Sequence, residues 1–116
     1  MDFPNLPYIV DGDTKLTETY AVAKYVVRRS GKTDLLGKTI QDEGKIDELF
    51  YMVFDNMVIK LVGLLFNKKV LDVKPAHYYK NKSLYDKFEK YLAGKEFVMG
   101  YLTIIDFFIA EGAFYL

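Results

Sequence analysis

Few residues in this chain offer chemistry. The single histidine, His77, stands beside Tyr78 and Tyr79 in a helical stretch and reads as a surface or packing residue, not a base. Cysteine is absent, which excludes a disulfide framework, a thiolate metal site and a cysteine nucleophile within these residues. No catalytic residue and no metal ligand is assigned. Asp55, inside an apolar helical stretch, reads by itself as an interfacial or solvated acid. Glu18-Thr19, between a strand and a helix, is by itself equally an ordinary helix cap or a ligand contact. Thr103 and Asp106 have capping-box spacing: Thr103 caps a helix start and Asp106 returns to the Thr103 backbone N–H.

The elements that must position these residues follow from pattern. Pro7-Tyr8-Ile9-Val10 is short, β-branched and aromatic, and ends in the turn signal Asp11-Gly12. Thr14 to Thr17 reads as its antiparallel partner. A helix is expected from Thr19 to Arg29, with Ala21, Val22, Tyr25 and Val26 at helical spacing. Thr17 or Thr19 can cap its start, Arg28-Arg29 suit its negative end, and Gly31 can sit just past it. Gly31 to Thr39 is the linker candidate, anchored by Leu35-Leu36. A long helix is expected over 40–66. Ile46, Leu49, Phe50, Val53, Met57 and Leu61 share one face, and Phe54, Val58, Val62 and Leu65 widen it. So broad an apolar surface belongs inside a bundle or at a subunit interface. Pro75 is expected to open another helix, ending near Ala93-Gly94, with Leu84, Phe88, Tyr91 and Leu92 inward. The last helix is almost wholly apolar from Phe107 and is expected to be buried.

Composition narrows the classes. The 116 residues are 51% apolar, which supports a packed core. Sixteen basic and 16 acidic residues give no net charge, and only Arg28-Arg29 and Lys68-Lys69 are adjacent basic pairs. That argues against a general grip on nucleic acid or anionic membrane. The apolar runs are too short to span a bilayer, and Met1 to Pro4 shows no secretory pattern. A cytoplasmic location is the default. Two strands alone are marginal in water, so the chain is expected to be part of something larger.

Asp2 to Gly12 (DFPNLPYIVDG) is similar to the stretch leading into the third strand of the mu-class glutathione transferases. Leu16 to Val22 resembles that family's strand-to-helix turn. Leu35 to Thr39 with Gly44 to Asp47 resembles its linker, and Val53 to Met57 the middle of its interface helix. The implied fold is α+β and mostly helical. It is the end of a thioredoxin-like domain, a β-hairpin plus helix, followed by part of the all-α C-terminal bundle. The implied units are 1–30, a linker 31–39, and 40–116.

The resemblance also implies roles. Pro7 would follow a cis peptide bond and turn a backbone group toward the cysteinyl part of glutathione, with Asn5 and Leu6 lining the same site. The start of the helix would offer N–H groups and a positive dipole end to the γ-glutamyl carboxylate, with the Thr19 hydroxyl adding a donor. Glu18 would accept from the ligand's ammonium. Asp55 would reach a glutathione held by a second subunit, and Arg28 and Asp47 match polar interface positions that would pair across the dimer. The partners implied are a second copy or a larger assembly through helix 40–66, and a small electrophile. Glutathione would be a substrate and detoxification the setting. The family's thiol-activating Tyr or Ser belongs to a strand that these residues do not match, and Phe66 falls where the mu class often has a tyrosine. Enzymatic activity is therefore open at this stage. The alternative is a non-catalytic transferase-like module that serves as a structural or docking subunit.

Overall fold

The computed structural model describes residues 2–60, 63, 66 and 70–114. Strands β1 (Tyr8–Asp11) and β2 (Thr14–Thr17) form an antiparallel hairpin, with Tyr8 opposite Thr17 and Asp11 opposite Thr14. Gly12, at φ +58°, supplies the left-handed residue of the tight turn between them. Helix α1 (Thr19–Arg29) follows, with Gly31 just past its end. Neither Thr17 nor Thr19 caps it. The N-cap is Glu18: Thr17 still belongs to β2, its hydroxyl donating to Phe3 O at 2.9 Å, and Thr19 already lies inside the helix. The far end of α1 is tied to the hairpin. Tyr25 Oη and Arg29 Nε both donate to Asp11 Oδ2, at 2.8 and 3.0 Å.

The connection to the next helix is a 3-10 turn, Thr33–Leu36, with Leu36 buried and Leu35 half-buried. Gly37 is required here. Its φ is +117°, and a β-carbon would stand 2.7 Å from Glu43 N. Helix α2 (Ile40–Val53) is capped by Thr39, whose Oγ1 accepts from Asp42 N at 3.1 Å. Ile46, Leu49, Phe50 and Val53 form its buried face, as the spacing predicts.

Beyond Val53 the structure departs from the single regular helix expected over 40–66. Phe54–Val58 is a wider, π-type turn, and residues 59, 60 and 63 are helical again. Leu61, Val62, Leu65 and the Met57 side chain lie outside the described residues. Helix α3 (Val70–Leu92) begins before Pro75, so the proline sits within it and does not open it. One missing N–H removes one rung of the ladder, and the rest of this 23-residue helix remains. Tyr85 and Phe88 are its buried residues among those described.

Helix α4 (Ile104–Phe114) starts at the expected box. Asp106 Oδ2 accepts from Thr103 N at 2.8 Å. The Thr103 hydroxyl donates to the same oxygen at 3.1 Å. Ile104 and Ile105 are buried, but Phe107 is 59% exposed, so α4 is covered on one side only.

The main core joins Tyr20 of α1, Leu36, Ile46, Leu49 and Phe50 of α2, Val98, and Ile104 with Ile105. A smaller cluster holds Val53 against Tyr85 and Phe88 of α3. The arrangement is α+β and mostly helical, a hairpin-plus-helix end of a thioredoxin-like unit followed by a helical bundle. Among the described residues no helix is long and apolar enough to cross a membrane.

Two carboxylates make this packing acid-sensitive. Tyr101 Oη donates to Asp42 Oδ2 at 2.7 Å and in turn accepts from Lys38 N at 3.0 Å. The Tyr101 bond holds the Asp42 carboxyl below its ordinary range, and Tyr25, followed by Arg29, does the same for Asp11. A folded-state value below the unfolded one stabilises at higher pH and is lost as pH falls through the folded value. Urea midpoints should therefore hold down to about pH 5 and fall toward about pH 3. Asp42→Asn should flatten part of that fall, and an unchanged profile in that variant would contradict the assignment.

Candidate functional site

Of the residues singled out from sequence, Asn5, Glu18 and Thr19 meet at the β2–α1 junction. The Leu6–Pro7 peptide bond is cis, as the resemblance implies. Asn5 organises the segment before it. Its Oδ1 accepts from Leu6 N at 2.9 Å and its Nδ2 donates to Glu18 Oε1 at 3.1 Å. Two residues far apart in sequence are thus joined at one point.

Glu18 has φ +74°, which a residue bearing a β-carbon adopts only at a cost. Such backbone is held by its surroundings, and here the Asn5 contact and the first rung of α1, Val22 N to Glu18 O at 2.9 Å, hold it. No side chain caps α1, and its first turn carries no acid. Its leading N–H groups therefore face outward with the positive end of the helix dipole, an arrangement that takes a carboxylate.

This junction opens on a groove of about 530 Å³ between α1 and α2. Glu18, Thr19, Tyr20 and Lys24 line one wall, and Phe50, Tyr51, Phe54 and Asp55 the other. The structure so brings Glu18, Thr19 and Asp55 to one cavity. Asn5, Leu6 and Pro7 do not line it, and Asn5 connects to it only through Glu18. Asp55 is exposed and has no hydrogen-bond or ion-pair partner among the described residues.

Asp47 lies at the floor. It accepts from the Tyr20 hydroxyl, and Lys24 Nζ reaches its two oxygens at 3.0 and 3.1 Å. Within the chain, Asp47 is thus engaged by Lys24 and Tyr20 and not by Arg28. Burial first, then the Asp47 bond, raises the Tyr20 hydroxyl well above its ordinary range. It stays protonated and committed to Asp47. The Tyr20 ring also stacks on Phe50 at 3.9 Å. Sequence reading missed Tyr20 and Lys24 as groove walls, although their four-residue spacing on α1 places them on one face. Among the described residues no cluster of acids and histidines could hold a metal ion.

Known proteins are similar to this sequence. The chain is 30% identical over 108 residues to glutathione S-transferase Mu 7 of Rattus norvegicus, covering 92% of the chain and 48% of that protein. It is 31% identical to glutathione S-transferase Mu 5 of Homo sapiens over the same shares. Against glutathione S-transferase Mu 1 of Oryctolagus cuniculus it is 34% identical over 91 residues, 78% of the chain and 38% of that protein. The chain spans about half the length of the first two and less of the third. No family model matches it. With the match running through the hairpin, α1 and the helices in order, the chain belongs to the glutathione transferase family, nearest its mu class.

Proposed function

We propose that this chain grips the γ-glutamyl end of glutathione, as part of a transferase that joins the glutathione thiol to small electrophiles. The carrying observation is the β2–α1 junction, where Glu18 in a left-handed conformation meets an uncapped helix start on the groove that Asp55 also lines. The leading N–H groups of α1 and the Thr19 hydroxyl take the carboxylate, and Glu18 takes the ammonium. Asn5, Leu6 and Pro7 present backbone to the cysteinyl part. Asp55, exposed and unpaired among the described residues, serves the ammonium of a glutathione held by a second subunit.

Residues 1–30 would then form the end of the glutathione-binding unit, 31–39 the linker, and 40–116 the start of the helical unit. The surface of 40–66 would meet a second copy, in the cytoplasm. The thiol must be held as thiolate to attack an electrophile. No residue of these 116 is assigned that task, and Tyr20, bound to Asp47, is not free for it.

Titration calorimetry with glutathione tests the reading. The protein should bind, and Thr19→Val, which keeps the shape and removes the hydroxyl, should weaken binding about tenfold or more, the worth of one hydrogen bond to a charged group. A folded wild-type protein that gives no binding would end this proposal.

A further inference from the structure

The wide turn in the interface helix has a geometric consequence at the groove. Phe54 N–H is shared between Phe50 O and Tyr51 O, four and three residues back, whereas Ile59 N–H bonds Phe54 O, five back. The change from a bond four back to one five back places one extra residue in the ladder. On a regular α-helix, residues five apart point roughly 140° away from each other. Val53 and Val58 do not. Their methyl carbons lie 3.7 and 3.9 Å from the point where a β-carbon on Gly112 of α4 would stand. The extra residue has brought both valines to one face against α4. Phe54 and Asp55, between them, are turned to the groove.

One side chain spans the turn. Asn56 Nδ2 donates to Met52 O at 3.0 Å, on the near side, and Asn56 Oδ1 accepts from Lys60 Nζ at 3.3 Å, on the far side. A side-chain donor bonded to the carbonyl four residues back competes with the helix rung there, which favours the wider ladder. Inserted π-type turns are frequent at functional sites.

We infer that the Phe54–Val58 turn fixes the rotation of this helix so that Asp55 faces the groove, and that Asn56 is the positioning residue that holds the turn. The inference rests on the glutathione reading above. It adds a residue that touches no ligand and acts only through Asp55.

The test is calorimetric titration of wild type, Asn56→Leu and Asn56→Ser, each also in an Asp55→Asn background. The probes are glutathione and an analogue lacking the γ-glutamyl amine. Asn56→Leu should weaken glutathione binding about tenfold. Asn56→Ser, whose hydroxyl also reaches the carbonyl four residues back, should recover most of that loss. In the Asp55→Asn background Asn56→Leu should add no further loss, because coupled residues are not additive. The analogue should bind all Asn56 variants alike. Wild-type binding with no effect of Asn56→Leu, or an equal effect in both backgrounds, overturns the inference and leaves the glutathione reading standing. No binding by wild type overturns both. Urea unfolding of each variant shows whether a binding loss merely follows a loss of fold.

Discussion

Replacing Phe50 with alanine is expected to cost about 3–5 kcal/mol of unfolding free energy, the range for emptying a well-packed aromatic site. Phe50 is 3% exposed. Its ring stacks on Tyr20 at 3.9 Å and on Phe54 at 5.2 Å, and meets Phe108 edge-on at 4.8 Å. It therefore joins α1, α2 and α4 at one place. A cavity there is bounded by three separate elements, so collapse would need all three to move. The same change removes the surface against which Tyr20 is stacked, and should loosen the Tyr20–Asp47 contact at the groove floor. Ile59→Ala is the control. Ile59 is 50% exposed, so its loss should fall within about 0.5 kcal/mol of neutral. Urea midpoints measure both. A Phe50→Ala midpoint close to the Ile59→Ala one would show that the core lies elsewhere.

Asp106→Ala should be nearly as severe, at about 2–4 kcal/mol, because it orphans donors that are already out of water. One carboxylate oxygen accepts from Val98 N at 2.8 Å, and the other from Thr103 N and the Thr103 hydroxyl. Thr103 is fully buried, so water cannot replace the lost partner without entering the core. Asp106→Asn keeps one acceptor oxygen and should fall between the alanine variant and wild type. An alanine variant as stable as wild type would mean that the box does not close the start of α4.

Much of this fold could be read from local pattern. Strand β2 and helix α1 have their expected bounds, and β1 runs one residue later than Pro7–Val10, because β-branched runs, Asp11-Gly12 and the spacing of Val22, Tyr25 and Val26 act over a few residues. The Leu36 anchor and the inward face of α2 followed for the same reason. The departures arise where distant partners decide. The Thr17 hydroxyl bonds Phe3 O, 14 residues away, and the cap position falls on Glu18. Helix α3 runs back past Pro75, although a proline preset for a first turn suggested a start. The wide turn at Phe54–Val58 was hidden because a broad apolar surface fits both a regular and an interrupted ladder. The five-residue spacing of Val53 and Val58, both of which pack toward Gly112, was the available signal.

The candidate site was less legible. Glu18 and Thr19 could be placed at a helix start by pattern, but a dipeptide does not separate a cap from a ligand contact. Asn5, Leu6, Pro7 and Asp55 came from the resemblance and not from periodicity. The Asn5–Glu18 bond spans 13 residues, and the Tyr20–Asp47–Lys24 contacts span more than 20. No local rule reaches that far. Tyr20 carries no local sign of a site, yet its ring packs on Phe50 and its hydroxyl sets the floor of the groove.

The central claim is that the β2–α1 junction holds the γ-glutamyl end of glutathione. The most direct measurement is a calorimetric comparison of glutathione with cysteinylglycine, which lacks that end. Glutathione should bind, and cysteinylglycine should bind at least about tenfold more weakly, since it forfeits charged hydrogen bonds at Glu18 and Thr19. Equal affinity for the two, with the protein folded, would contradict it.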